Sequence, residues 1–410
     1  MISGNCIIAQ SGGPTTAINS SACGAIFEAL NQKPIEKVFG ARNGIEGILN
    51  EELFDFDEED VEELKLLKTT PSSALGSCRY RLKQDDSSDY ERIFEVFNKY
   101  NIRYFFYIGG NDSMDTVKKI HEYAQKINYD IRVIGVPKTI DNDLVGTDHC
   151  PGFGSAAKYI ATSILEMSHD ADVYKSNIIT IVEVMGRNAG WLAAASALTK
   201  ATDLIYLPEA AFDFERFEQD VRKVYEEKGK VMIVVSEGIK DKDGRYISTL
   251  ESVGGHDNFG HAQLGGVGSV LERYVKENIE KRVKKIELNI LQRCAMHYGS
   301  KTDIDEAYMV GQQAVLYGMQ GKSGYMVGLK RVSNTPYVCE TELVDINQVA
   351  NFEKKIPSHW INKEGNYVTK ECIEYLSPLI LGEVLIPTEN GLPRYAKLKK
   401  KIVAKPDSMA

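Results

Sequence analysis

The sequence predicts an α/β fold, doubly wound, in which helices cover mainly parallel sheets in three layers, over 410 residues that suffice for two domains of ordinary size. Apolar runs rich in β-branched and aromatic residues, at 4–9, 35–41, 103–108, 131–136, 178–184, 203–207 and 230–236, alternate with helical patterns near 17–30, 113–127, 155–168, 191–200, 214–228 and 263–279. That alternation is the signature of βαβ units. Runs such as Arg103-Tyr-Phe-Phe-Tyr-Ile108 are continuously apolar, as strands hidden on both faces must be. Three of them stop at polar or glycine-bearing loops, where open α/β sheets gather their ligands.

Each element has a local reason. Cys6-Ile-Ile-Ala9 gives way to Gln10-Ser-Gly-Gly-Pro-Thr-Thr16 and then to a helix, with Gly12 and Gly13 letting the backbone approach a ligand closely. The run ending at Ile108 is stopped by Gly109 and Gly110. Met114, Val117, Ile120, Ala124 and Ile127 then recur at helical spacing, and Asn111, Asp112 or Ser113 is expected to cap that helix, whose first amides attract an anion. Ile131-Arg-Val-Ile-Gly-Val136 leads into Pro137-Lys-Thr-Ile-Asp-Asn-Asp143. Residues two apart face the same way in extended backbone, so Asp141 and Asp143 are expected to face one site with Thr139 beside them. Further along, one strand delivers Met185-Gly-Arg187 to a loop and another ends at Glu237. The acidic stretch 51–63 reads as solvated helix and loop, and Lys397-Leu-Lys-Lys-Lys401 as a solvated tail.

Together the three loops offer amides, an ammonium and carboxylates to a phosphate-bearing ligand. Phosphoryl transfer to a hydroxyl needs those parts: a base, cations on the moving group and a fixed in-line geometry. A dianionic transfer of this kind leads us to expect Mg²⁺ as cofactor.

Composition narrows the rest. The net charge of −9 argues against a general nucleic-acid binder and requires a local basic pocket for any anionic substrate. Seven cysteines lack both a Cys-x-x-Cys pair and metal-ligand spacing, which fits a reduced, cytoplasmic setting. The start of the chain lacks a basic leader and no apolar stretch approaches eighteen residues, so neither export nor membrane insertion is expected. Gly321-Lys-Ser323 is not a P-loop, because Leu316 stands where its first glycine belongs. His169, and the pair His256 and His261, lack a third metal ligand at diagnostic spacing.

Seven motifs in order, Gly12-Gly13-Pro14, Gly76-Ser-Cys-Arg79, Gly109-Gly-Asn-Asp-Ser113, Pro137-Lys-Thr-Ile-Asp-Asn-Asp143, Glu183-Val-Met-Gly-Arg187, Ser236-Glu-Gly238 and Leu291-Gln-Arg293, resemble the phosphofructokinase family, in particular its pyrophosphate-dependent branch. The resemblance implies two doubly wound domains with the active site in the cleft between them, placed at 1–152 (phosphoryl donor) and 153–290 (fructose 6-phosphate), with 291–345 crossing back and 346–410 as a C-terminal extension. It implies phosphorylation of the 1-hydroxyl of fructose 6-phosphate by pyrophosphate, with Asp141 as base, Lys138, Asp112 and Gly110 beside it, and Gly12, Gly13 and Arg79 on the donor. It also implies that Thr139, Ile140, Asp141, Asp143, Met185, Gly186, Arg187, Glu237, Ile290 and Arg293 hold the sugar phosphate, and that the chain forms a homodimer or homotetramer.

Asp112 is the discriminator of donors in that comparison. ATP-dependent bacterial relatives have glycine there, leaving room for the α-phosphate, whereas a carboxylate fills the space and repels it. Three positions depart from the family pattern. Asn111 stands at the aspartate that binds magnesium, Ile290 at a histidine, and Ile178 at an inter-subunit arginine, leaving Arg282, Lys284, Lys285 or His297 as substitutes for missing phosphate contacts. The competing readings are an ATP-dependent phosphofructokinase and a non-catalytic regulatory subunit.

Overall fold

The computed structural model describes residues 2–83, 87–173, 175–250 and 266–405, the side chain at 250 excepted. Among these its main strands are β1 (Gly4–Gln10), β2 (Ile35–Ala41), β3 (Leu53–Asp55), β4 (Ile102–Gly109), β5 (Arg132–Pro137), β6 (Ile178–Val184), β7 (Leu204–Tyr206), β8 (Lys230–Ser236), β9 (Val283–Glu287), β10 (Tyr325–Asn334) and β11 (Tyr337–Asp345). They form a seven-stranded sheet in the order β11-β10-β5-β4-β1-β2-β3 and a four-stranded sheet in the order β7-β8-β6-β9. The smaller sheet is parallel throughout; in the larger, only β3 and β11 run antiparallel to their neighbours.

Burial explains why the aromatic run is central. Tyr104, Phe105, Phe106, Tyr107 and Ile108 of β4 are each at most 1% exposed, and they alternate between two apolar layers on opposite faces of the large sheet. One layer is closed by the helices Ser88–Lys99 and Asn111–Lys126, the other by Ile18–Asn31 and Lys301–Met319. The small sheet is likewise covered on both faces, by Phe153–Asp172 on one and by Phe214–Lys228 with Val267–Asn278 on the other. Each sheet is therefore the middle of three layers.

The seven expected strands all form. Among the main strands, the pattern did not indicate β3, β9, β10 and β11: β3 is only three residues long, β9 reads Val-Lys-Lys-Ile-Glu, and charged residues interrupt β10 and β11. β3, β9 and β11 lie at sheet edges, and β10 is buried only over its first half, so none of them needs an apolar run along its whole length. Downstream of β9 the chain returns to the large sheet through Lys301–Met319, β10 and β11.

The acidic stretch and the basic tail are solvated only in part: Asp57, Glu58, Asp60 and Glu62 are exposed as expected, while other residues of the two segments dock on each other. Glu59 accepts the main-chain amides of Lys399 and Lys400, and Glu63 accepts that of Lys397 and pairs with Arg394. Phe54 and Ile402 form an antiparallel bridge. Glu51, 4% exposed, is paired with Arg92 and Lys99. These carboxylates serve as acceptors for tail amides and as partners for helix cations, which is how acidic groups tolerate burial.

Candidate active site

The C-terminal ends of β1, β4 and β5 open on a cleft of about 710 Å³ that faces the ends of β6 and β8. Its lining takes Gly12, Gly13, Arg79, Gly110, Asn111, Asp112, Lys138, Thr139, Ile140, Asp141 and Asp143 from one side, and Met185, Arg187, Glu237 and Arg293 from the other.

The donor side is built from close approaches. Gly12 has φ +76°, and a Cβ there would stand 3.1 Å from the Lys138 ammonium. Only glycine takes that conformation freely with a cation so near. Gly109 allows the helix to start directly against β4, since a Cβ would lie 1.9 Å from the Ser113 hydroxyl, which itself bonds Ser11 at 2.7 Å. The expected cap is corrected: Gly110 occupies the N-cap of Asn111–Lys126 and no side chain caps it. A helix start without a capping side chain is suited to an anion.

Lys138 is 2% exposed, and its Nζ donates to the Gly13 carbonyl at 2.7 Å. Burial pushes its pKa down to about 8, with Asp141 and Asp143 opposing the shift. Asp141 is raised by burial, countered by Lys138, Arg187 and Arg293. Burial and the neighbouring Asp141 lift Asp143 to about 7, and burial followed by Asp141 lifts Glu237 to about 7. Such displaced acids and bases, converging in one cleft, are what proton-transfer chemistry requires.

The loop bearing these carboxylates differs from expectation in form. Asp141 and Asp143 both line the cleft, but Asn142 between them has φ +52°, so a left-handed turn rather than extended backbone presents them. Asn142 tolerates that turn because its side chain accepts from the Cys150 amide at 2.9 Å and donates to the Tyr375 hydroxyl at 3.0 Å. Thr139 Oγ1 accepts from the Asp141 amide at 3.1 Å.

On the acceptor side, Arg187 Nε is buried with no hydrogen-bond partner among the described residues, which marks it as awaiting an acceptor. Arg79, Arg81, Arg187 and Arg293 all line the cleft, giving anions a basic surround despite the acidic chain. Gly186 is not part of the lining; it shapes it from behind, its amide 3.4 Å from Glu237 Oε1 and its φ +133°. Ile290 is a correction: it is 54% exposed, precedes the short helix Leu291–Cys294, and lies outside the lining. An apolar side chain at that point has no polar atom to turn inward. Nor do Arg282, Lys284, Lys285 or His297 line the cleft; Lys284 pairs with Asp170 and Lys285 with Glu287.

Asn111 lines the cleft, yet its amide is already engaged. Oδ1 accepts from the Asn351 amide at 2.7 Å, and Nδ2 donates to the Phe352 carbonyl at 2.6 Å. Among the described residues no group of three or more His, Cys, Asp or Glu side chains is placed to hold a metal. The donor set fits a hard cation held chiefly by substrate oxygens and water with one or two carboxylates, the usual manner for magnesium with phosphates. His256 and His261 lie outside the described residues.

Asn188, Asn351, Phe352 and Glu353 also line the cleft and escaped the sequence reading. Residues 351–353 lie at least 165 residues along the chain from the loops they meet, with no glycine or strand end to draw attention to them.

Two mainly parallel-sheet units face each other across a basic cleft with a buried lysine and raised carboxylates, an arrangement suited to phosphoryl transfer. A family model described as Phosphofructokinase matches residues 5–315, and the chain belongs to that family. It is 45% identical over 415 residues to the pyrophosphate--fructose 6-phosphate 1-phosphotransferase of Xanthomonas campestris pv. campestris, covering 99% of this chain and 98% of that one. It is 44% identical to the protein of the same name from Methylococcus capsulatus, with 99% and 98% covered. The crystal structure of pyrophosphate-dependent phosphofructokinase from Marinobacter aquaeolei superposes with a TM-score of 0.89 at 41% identity, covering 98% of each chain.

Proposed function

We infer that the chain is a pyrophosphate-dependent 6-phosphofructokinase, moving a phosphoryl group reversibly from pyrophosphate to the 1-hydroxyl of fructose 6-phosphate in glycolysis. The observation that carries the choice of donor is Asp112 in the cleft, in the first turn of the helix after Gly110, with Lys138 lining the same cleft and bonded to the Gly13 carbonyl of the neighbouring loop. At an effective dielectric of about 20, a carboxylate about 4 Å from a phosphate charge costs on the order of 4 kcal/mol. A nucleotide's α-phosphate would meet that cost; pyrophosphate, which has no third phosphate, does not.

In this reading Asp141 accepts the proton as the sugar oxygen attacks the near phosphorus. The bond from that phosphorus to the bridging oxygen breaks, and inorganic phosphate leaves. Lys138 and Arg79 stabilise the charge on the transferring and departing groups. Arg187 and Arg293 hold the sugar phosphate and Glu237 its hydroxyls, with Thr139, Met185 and Asp143 completing the wall. Asp112 and Asp141, which line the cleft, would hold Mg²⁺, and the cation would supply charge neutralisation on the pyrophosphate oxygens. The working chain is a homodimer or homotetramer in a reduced cytoplasm, which light scattering tests. All seven cysteines are free, and no helix among the described residues is long and apolar enough to cross a membrane.

The deciding assay compares pyrophosphate with ATP as donor for fructose 6-phosphate. Turnover with pyrophosphate and little with ATP is expected; the reverse result makes the chain an ATP enzyme, and inactivity with both makes it a regulatory subunit. Replacing Asp112 and Lys138 together by glycine is expected to raise ATP use relative to pyrophosphate by at least about tenfold.

A further inference from the structure

The C-terminal extension enters the active site through residues 351–354, and its contacts there reach three loops. At the donor loop, Asn351 N donates to Asn111 Oδ1 at 2.7 Å while Asn111 Nδ2 donates to Phe352 O at 2.6 Å, and Asn351 Nδ2 donates to Asp115 Oδ1 at 3.1 Å. At the acceptor loop, Asn188 Nδ2 donates to Glu353 Oε1 at 2.8 Å, and Trp191 Nε1 donates to Lys354 O at 3.1 Å. At the catalytic loop, Lys354 N donates to Asp143 O at 2.7 Å. The Lys354 ammonium donates to Asp148 O at 2.7 Å, Thr147 O at 3.2 Å and Asn142 Oδ1 at 3.3 Å.

Two features of this chemistry are selective. The bond pair at residue 111 needs one side chain that both donates and accepts, which an amide does and an ionised carboxylate cannot. Asparagine at this position is thus explained by the extension rather than by a cation. The ammonium of Lys354, in turn, spends its three hydrogen bonds on neutral carbonyl oxygens around the turn that presents Asp141 and Asp143. A charge whose hydrogen bonds all go to carbonyl oxygens of this turn fixes its geometry.

We propose that residues 351–354 form a positioning strap that sets the separation of donor, acceptor and catalytic loops, with Asn111 as its anchor on the donor loop and Lys354 as the positioning residue for Asp141 and Asp143. The proposal rests on the phosphotransferase reading above. In-line transfer is steep in distance, so a displacement of about 1 Å costs roughly 10²-fold in rate without a matching loss of substrate affinity.

The test compares wild type, Asn111→Asp and Lys354→Met for kcat, KM of each substrate, Mg²⁺ half-saturation and unfolding midpoint. Asn111→Asp is expected to lower kcat by about tenfold or more, with both KM values within about threefold and Mg²⁺ half-saturation unchanged. Lys354→Met is expected to lower kcat by roughly 10², again with both KM values within about threefold. A merely structural role would lower the unfolding midpoint without splitting kcat from KM in this way. The proposal is overturned if Asn111→Asp leaves kcat intact or tightens Mg²⁺ half-saturation, or if Lys354→Met leaves kcat in place or raises KM as far as it lowers kcat. Should Lys354→Met not fold, Asn111→Asp at the half-buried helix start decides alone. Wild-type turnover with ATP in place of pyrophosphate would sink the donor reading only, and the same variants are then compared with ATP on the same criteria.

Discussion

Replacing Lys138 by methionine is expected to lower catalysis and to remove a pH dependence from the stability of the fold. The side chain is 2% exposed and burial holds its pKa at about 8 against an ordinary 10.5. A depressed folded-state pKa on a lysine means that the unfolded chain keeps a proton which the native chain releases, so stability rises with pH between about 8 and 10.5. At about 1.4 kcal/mol per unit, holding the charged amine inside costs the fold on the order of 3 kcal/mol near neutrality. Methionine carries no such cost. The variant also loses the hydrogen bond to the Gly13 carbonyl, a penalty of about 1–3 kcal/mol that does not depend on pH. The net change at one pH is therefore a poor readout, and the pH dependence is the informative one. Denaturant unfolding at pH 7.5 and pH 10 should show the variant's stability relative to wild type declining by about 2 kcal/mol toward the higher pH. In parallel kcat should fall by roughly 10²–10³, the usual effect of removing a charge that stabilises the transition state. Parallel stability curves for the two proteins, or a rate retained within tenfold, would refute the reasoning.

Three other outcomes follow from the same geometry. In wild type, Glu237 and Asp143 both sit near 7, so kcat/KM should lose its acid limb near neutrality rather than near pH 4, as an initial-rate profile will show. Glu51→Ala removes a 4% exposed carboxylate whose pKa Lys99 and Arg92 bring down to about 2 against the effect of burial. It should cost about 2–3 kcal/mol by denaturant unfolding, less than a fully buried pair because Arg92 and Lys99 keep part of their hydration. That contribution is complete above the ordinary glutamate pKa and fades as pH falls toward 2, so wild type and variant should converge in acid. Deleting the chain from Arg394 onward strips Glu59 and Glu63 of their tail amides and should lower the unfolding midpoint and open the 51–63 region to proteolysis.

What sequence could reveal was set by how local each cause is. The β4 run is legible because a strand hidden on both faces has no polar position to spare. The donor loops are legible because glycine is demanded by an approach within a few residues or across one strand end, as at Gly12 and Gly109. The turn at Asn142 was misread as extended because its left-handed conformation depends on Cys150 and Tyr375, the latter 233 residues away. The solvated reading of 51–63 holds for Asp57, Glu58, Asp60 and Glu62 but not for Glu59 and Glu63, for a similar reason. An acidic run looks the same whether water or a distant main-chain amide answers its carboxylates, and here the amides arrive from residues 397–400.

Asn111 shows the limit most sharply, because the motif around it was recognised and its own role was not. Judged within Gly-Gly-Asn-Asp-Ser, an amide in place of a carboxylate looks like a weakened cation ligand. In the folded chain the same amide meets one donor and one acceptor on consecutive residues of the extension, an arrangement that a carboxylate would break by confronting the Phe352 carbonyl with another acceptor. A family motif predicts a residue's role only while its partners are those of the motif. Where a segment from elsewhere in the chain supplies a new partner, the substitution that suits it resembles a loss of function until that partner is seen.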